Sequence, residues 1–247
     1  MKSALALAGV LLVAGVVAAQ AAEESAEPAE PGDATGAPGA AASDAVAPPR
    51  VAILVVAPPE VDAFLPAYVH ELAAAVLREA GWSVVPPGVA KRAFAEAGGE
   101  GCLGDGACLE ALGAELGAGM VLALWPSEED AEGARFACAA QWYRAGEGAM
   151  APVGEREVLR GDETAIAEGV QAAARRADRG GAPCLVEVAA EGVEVSAEVD
   201  RRARALHRGR LFVAPGDHAL RLLADGRRAW EGPLRCEAGR GWRARVR

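Results

Sequence analysis

Two lysines, three histidines and six serines are all that the 247 residues offer of several side chains that commonly do chemistry. The lysines are Lys2 and Lys91, so arginine carries nearly all the positive charge. His70, His207 and His218 are far apart in the chain, and no G-x-S-x-G occurs, which leaves no hydrolytic triad to assemble. His70-Glu71 opens an H-E-x-x-H pattern, but Ala74 stands where the second zinc ligand belongs. His70 also reads as lying off the apolar face of its helix, in solvent. Carboxylates are plentiful, yet they fall on helix faces and loops, and spacing singles out no catalytic pair. The sequence therefore nominates no catalytic residue, no metal ligand and no cofactor.

Long apolar runs are equally scarce. Ala4 to Ala19 is one, preceded by the positive Met1-Lys2 and followed by Ala19-Gln20-Ala21, a small-x-small cleavage pattern. Residues 1–21 thus read as a secretory signal, with an uncleaved anchor as the alternative. No cysteine lies nearby to take a lipid, and no later stretch is long enough to span a bilayer. Residues 22–49 hold little but Ala, Glu, Pro, Gly, Asp and Ser, with Val46 the lone larger aliphatic. Such a segment cannot bury enough surface to offset its ordering entropy, and it is expected to be a disordered tether reaching roughly 30 Å.

Folding is expected to start at Val51–Ala57, a short unbroken apolar run between Arg50 and Pro58-Pro59. Its β-branched content and lack of alternation predict a strand covered on both faces. Val61, Phe64, Leu65, Tyr68, Val69, Leu72 and Val76 then recur at helical spacing, and Gly81 provides the left-handed stop. Pro66 requires the regular helix to begin close by, or to kink. Strands are expected at 82–85, 120–125, 135–144 and 153–159, with those at 120–125 and 135–144 joined as a hairpin by an acidic loop at 126–133. Helices are expected at 89–97, around Leu109 to Leu116, and after Asp162 as N-cap. Residues 50–178 thus predict an α/β domain with a mixed sheet. This order of elements, with Leu112-Gly113-Ala114-Glu115-Leu116-Gly117-Ala118 ahead of a strand, resembles the N-terminal α/β domain of the TolB family of bacterial envelope proteins. No β-propeller follows, so the TolB role does not come with the resemblance.

Cys102 and Cys108 bracket Leu103 to Ala107 at the start of a helix. In an oxidising compartment the simplest product is a disulfide, which would stabilise by roughly 2–2.5 kcal/mol. Free thiols, or a metal held with Asp105, are the alternatives; the latter lacks a fourth ligand. Gly99-Glu100-Gly101-Cys102-Leu103-Gly104 matches G-x-G-x-x-G formally. It follows a helix rather than a strand and presents Glu100 to any phosphate, so it is not a dinucleotide fingerprint.

Beyond Gly180-Gly181-Ala182-Pro183 the apolar period becomes two, and residues 183–247 predict a small all-β sandwich. Pro215-Gly216 reads as a type II turn. Asp225-Gly226 reads as a three-residue hairpin loop with a bulge that sets Leu220 opposite Trp230. The Val195–Asp200 strand (V-x-x-x-V-D) and Pro215-Gly216-Asp217-His218 (P-G-x-H) resemble the PEGA domain of bacterial envelope and surface proteins. Arg201 replaces that pattern's glycine. The resemblance implies a non-catalytic module serving adhesion or protein contacts. Cys184 and Cys236, near the two ends of this module, are expected to bridge, with Cys138 left as a buried apolar residue; spacing alone leaves the pairing of these three open.

Charge is divided unevenly. Residues 1–181 carry 12 basic and 26 acidic side chains, a net −14, whereas 182–247 carry 13 and 9, a net +4. An arginine face could attract an anionic envelope polymer; an ordinary solvated face is the plainer reading. Together these observations predict an exported, periplasmic or secreted protein that presents a surface to an envelope protein or anionic envelope polymer, and not to nucleic acid. The alternatives are a periplasmic small-ligand module, with its cleft at the strand carboxyl ends near Pro58–Asp62 and Pro86–Gly88, and an enzyme of unrecognised type.

Overall fold

The computed structural model describes residues 43–46, 48–129, 135–238 and 240–246, which fall in one compact unit. The signal 1–21 and the tether as far as residue 42 lie outside the described residues, as do the tips at 130–134. The architecture is mixed α/β with three sheets.

β1 (Ser43–Val46) corrects the expectation that all of 22–49 is disordered, for it pairs antiparallel with β13 (Arg240–Val246). An edge strand is held by its backbone, so the composition that forbids a core does not forbid pairing. β2 (Arg50–Val55) is the apolar run, and its side chains alternate between two cores, Val51 and Ile53 in one, Ala52 and Leu54 in the other. α1 (Phe64–Glu79) begins two residues before Pro66, which therefore sits in the first turn where its missing N–H is harmless. It ends in a Schellman motif: Gly81, at φ 80°, donates to Arg78 O, and Trp82 donates to Leu77 O at 2.9 Å.

β3 (Ser83–Val84) returns parallel to β2, followed by α2 (Pro87–Glu96), the short α3 (Glu100–Leu103) and α4 (Gly106–Leu116). β4 (Met120–Glu128) runs parallel to β2; β5 (Phe136–Ala145) and β6 (Met150–Gly161) continue antiparallel, giving the order β3-β2-β4-β5-β6. α5 (Glu163–Arg175) is capped by Asp162, whose carboxylate accepts from Ala165 N. α1 and α5 cover one face over Cys138, Ala140 and Trp142, while α2 and α4 supply Phe94, Leu109 and Leu112 to the other. Where β5 and β6 slip register, buried Gln141 donates to Val153 O and Gly154 O, supplying partners that the interrupted ladder would leave empty.

The remaining strands are β7 (Cys184–Ala190), β8 (Val195–Val199), β9 (Arg202–Arg204), β10 (Arg210–Val213), β11 (Gly216–Ala224) and β12 (Arg227–Cys236). With β1 and β13 they make two four-stranded sheets, β1-β13-β7-β10 and β12-β11-β8-β9, closed over Val186, Leu211, Leu220, Leu222 and Leu234. Gly216 has the positive φ expected of it, at 140°, and Pro215-Gly216 carries the chain from one sheet to the other. One local expectation needs correction. Asp225 and Gly226 form a two-residue loop, and the bulge sits further along β12; Leu222, not Leu220, opposes Trp230, and Leu220 opposes Gly232. Asp225 tolerates φ 47° in this turn, which removes the need for a third loop residue.

Phe212 of β10 is 1% exposed, yet it packs into the helical core with Leu109, Leu112 and Met150 rather than into the sandwich. The two halves therefore share a hydrophobic seam. Phe212→Ala is expected to lower stability by about 3–5 kcal/mol in urea denaturation. Phe64→Ala, at a position 62% exposed, should change it by about 0.5 kcal/mol or less.

Candidate functional site

Around Phe212 the seam is electrostatic. Arg204, on β9, directs its guanidinium to Glu110 of α4 at 3.3 Å, to Gly146 O at 2.7 Å and to Phe212 O at 3.1 Å. The Arg204 and Glu110 side chains are 8% and 3% exposed. Glu110 Oε2 has no partner. Burial raises the Glu110 pKa above the usual carboxylate value, with Arg204 and His207 opposing that rise.

Three more arginines of the same segment reach across. Arg202 pairs with Glu147, Arg208 with Glu115 at 2.6 Å, and Arg210 donates to Ala114 O and Glu115 O at 3.3 and 3.1 Å. The last pair are carbonyls of the final turn of α4, at the negative end of its dipole, and Ala114 O also accepts from the C-cap Gly117 N at 3.2 Å. The positive segment 202–210 is thus spent on the acidic half of its own chain.

Beside the seam opens a groove of about 290 Å³. Its floor is apolar, with Met120, Pro183, Phe212 and Trp242, and its rim carries Arg50, Glu187, Arg210 and Arg243. Glu187 accepts from Arg210 Nε at 3.0 Å and from Arg243 at 2.7 and 3.0 Å. The Arg243 hydrogen bonds lead in holding its carboxyl below the usual range. The groove lies at the amino ends of β2 and β4, the opposite end from the cleft expected near Pro58–Asp62 and Pro86–Gly88. At that expected cleft, Asp62 N donates to Glu128 and Pro87 opens α2.

Cys102 and Cys108 are joined in a disulfide, with Cα atoms 5.3 Å apart, and Asp105 is occupied as the N-cap of α4, accepting from Ala107 N and Cys108 N. Cys184 and Cys236 are also joined, linking β7 in one sandwich sheet to β12 in the other. Cys138 is free and buried. Among the described residues no group of three or more His, Cys, Asp or Glu is arranged to hold a metal ion. Among them, too, no helix is long and apolar enough to cross a membrane.

His70 corrects the sequence reading. It is 5% exposed, its Nε2 has no partner and its Nδ1 lies 3.3 Å from Glu71. It shares a buried stripe with Ala73, Ala74 and Leu77, its neighbours three, four and seven residues on along α1. His218 was also uninformative by spacing, yet its Nδ1 meets Asp200 Oδ2 at 2.7 Å and its Nε2 meets Ala214 O at 2.9 Å. Asp200 Oδ1 accepts from Ala219 N, so the pair clasps β8 to the start of β11.

No protein-family model matches the chain, and no curated protein matches it. Among solved structures, the lipoprotein GNA1162 from Neisseria meningitidis is similar over 52% of this chain and 97% of its own. The identity is 17% and the TM-score 0.34, a likeness too loose to carry an argument.

Two predictions arise from the buried polar groups. Arg204→Ala should destabilise by about 3–5 kcal/mol at pH 7.5, because it strands a buried carboxylate. Arg204 lowers the Glu110 pKa, so its loss raises that pKa further and lets Glu110 protonate more readily. A group with a raised folded pKa gives its full contribution below the unfolded value and loses it as pH rises. The Arg204→Ala penalty should therefore shrink at pH 5, measured by urea unfolding at both pH values. For His70, burial lowers the pKa although Glu71 opposes it. Its contribution is present above the unfolded value of about 6.5 and is lost as pH falls below it. The drop in urea midpoint between pH 7.5 and 5.5 should be smaller in His70→Gln than in the parent.

Proposed function

We propose that this is an exported, non-catalytic envelope protein that works by presenting a binding surface to a partner. The carrying observation is that four of the five cysteines are paired, one pair within the α/β half and one across the sandwich. Such economy of thiols suits an oxidising compartment and agrees with the signal-like leader. A TolB-like reading of 50–178 is supported by the parallel β2, β3 and β4 with their helices. A PEGA-like reading of 183–247 is supported by the two quoted motifs meeting, since Asp200 ends one and His218 ends the other.

The partner is better taken as a protein than as an anionic polymer. Arg202, Arg204 and Arg208 pair with the α/β half, and Arg221 with Glu198 and Glu231. Paired arginines offer little attraction to a distant polyanion. A scaffold or accessory role follows, in which a rigid body displays a fixed surface.

The test is fractionation with thiol counting. Expressed with its leader in a Gram-negative host, the protein should appear in the periplasm or medium with one free thiol. That thiol is Cys138, whose pKa burial pushes up to about 12, so alkylation should need denaturant. Recovery from the cytosol with five reduced thiols would overturn the reading.

A further inference from the structure

The groove beside the seam carries more positive charge than its own residues neutralise. Arg210 and Arg243 share the single carboxylate of Glu187, while Arg50 is exposed and has no hydrogen bond or ion pair among the described residues. Among the described residues no other acidic side chain lines the cavity. Three guanidiniums against one carboxylate leave a surplus of two positive charges at the rim. Even the dipole of the nearby α4 end would offset only about half a charge of it.

The floor is different in kind. Phe212, Met120 and Trp242 are 1%, 3% and 7% exposed and back the groove, while half-buried Leu185 and exposed Pro48 present apolar surface to it. Its volume of about 290 Å³ matches the smaller ligand sites, which combine an apolar lining with a few convergent polar groups. A guanidinium fork fits a planar carboxylate with two parallel hydrogen bonds. A phosphate would meet the same fork, but it would bring a tightly hydrated head to an apolar floor that has no donors to replace its water.

We propose that this groove binds a small carboxylic acid carried on an apolar body, with Arg50 taking the carboxylate and Pro48, Leu185 and the edge of Trp242 receiving the apolar part. Arg243 and Arg210 hold Glu187 in place and keep the rim positive around the incoming acid. This goes beyond the envelope-accessory reading and does not rest on it. Fractionation bears on compartment and solution binding bears on the groove, so either can fail alone.

The probe is N-acetyl-L-leucine, titrated into the purified, oxidised protein and followed by the indole N–H resonance of Trp242. For a ligand of this size a Kd in the range of about 1–10 mM is expected. N-acetyl-L-leucinamide keeps the apolar body and loses the charge, and it should bind at least about tenfold more weakly, as should the acid to Arg50→Gln. Arg50→Gln removes no side-chain hydrogen bond or ion pair among the described residues and should keep the parental melting temperature, so its loss of binding is not a loss of fold. Equal binding of acid and amide would overturn the proposal, as would parental affinity in Arg50→Gln or no shift of the Trp242 signal. Tighter binding of inorganic phosphate than of the acid would overturn the carboxylate assignment.

Discussion

A carboxylate and a guanidinium sealed from water, Glu110 on α4 and Arg204 on β9, fix where the two halves of this protein meet. Burying such a pair costs desolvation that its attraction only partly returns, and here one carboxylate oxygen is left without a partner. Its stronger effect is on alternatives: any other docking would leave a charge buried and alone, which is far more costly. Phe212 beside it gains apolar burial only when the pair is closed, because its own carbonyl is one of the acceptors of Arg204. The ion pair sets the register and the aromatic ring supplies the driving force.

Both covalent links lie behind this contact. Cys102–Cys108 closes the loop that leads into α4, and so steadies the helix that presents Glu110 and Glu115. Cys184–Cys236 ties β7 to β12, and β7 pairs with β10, the strand that delivers Arg210 and Phe212. The charge imbalance between the halves acquires its meaning here. A net −9 over residues 50–181, from 11 basic and 20 acidic side chains, and a net +4 over 182–247 look like surfaces made for outside partners, but the 202–210 arginines meet Glu110, Glu115, Glu147 and helix carbonyls of the same chain.

Features set by neighbours in sequence were legible from the chain. The alternation through Phe136, Cys138, Ala140 and Trp142, the glycine stop at Gly81 and the Asp162 cap all depend on a few adjacent residues. What escaped depends on packing between distant elements. His70 lies on the buried stripe of α1 with Ala74 and Leu77, and how far that stripe extends depends on what packs against α1, which periodicity on α1 alone cannot register. β1 is held by backbone pairing to β13, nearly two hundred residues away, and leaves no apolar signature. The seam was hidden for the same reason: residues 94 positions apart, Arg204 and Glu110, look like two ordinary solvated charges until their elements are placed.

The position of the groove follows from the seam as well. In an open α/β sheet the concave ground usually lies at the carboxyl ends of the strands, where helix amino termini converge and favour anions. Here the sandwich is packed against the other end, over the amino ends of β2 and β4, and a hollow remains where a flat β7–β13 surface meets the turn at Gly117 to Gly119. Helix carboxyl termini would ordinarily make that end negative. Arg210 cancels this by binding the last carbonyls of α4, and Arg50 and Arg243 then turn the balance positive. The same arginine thus serves the docking of the two halves and the charge of the hollow between them, so the contact that unites the protein also sets the character of its groove.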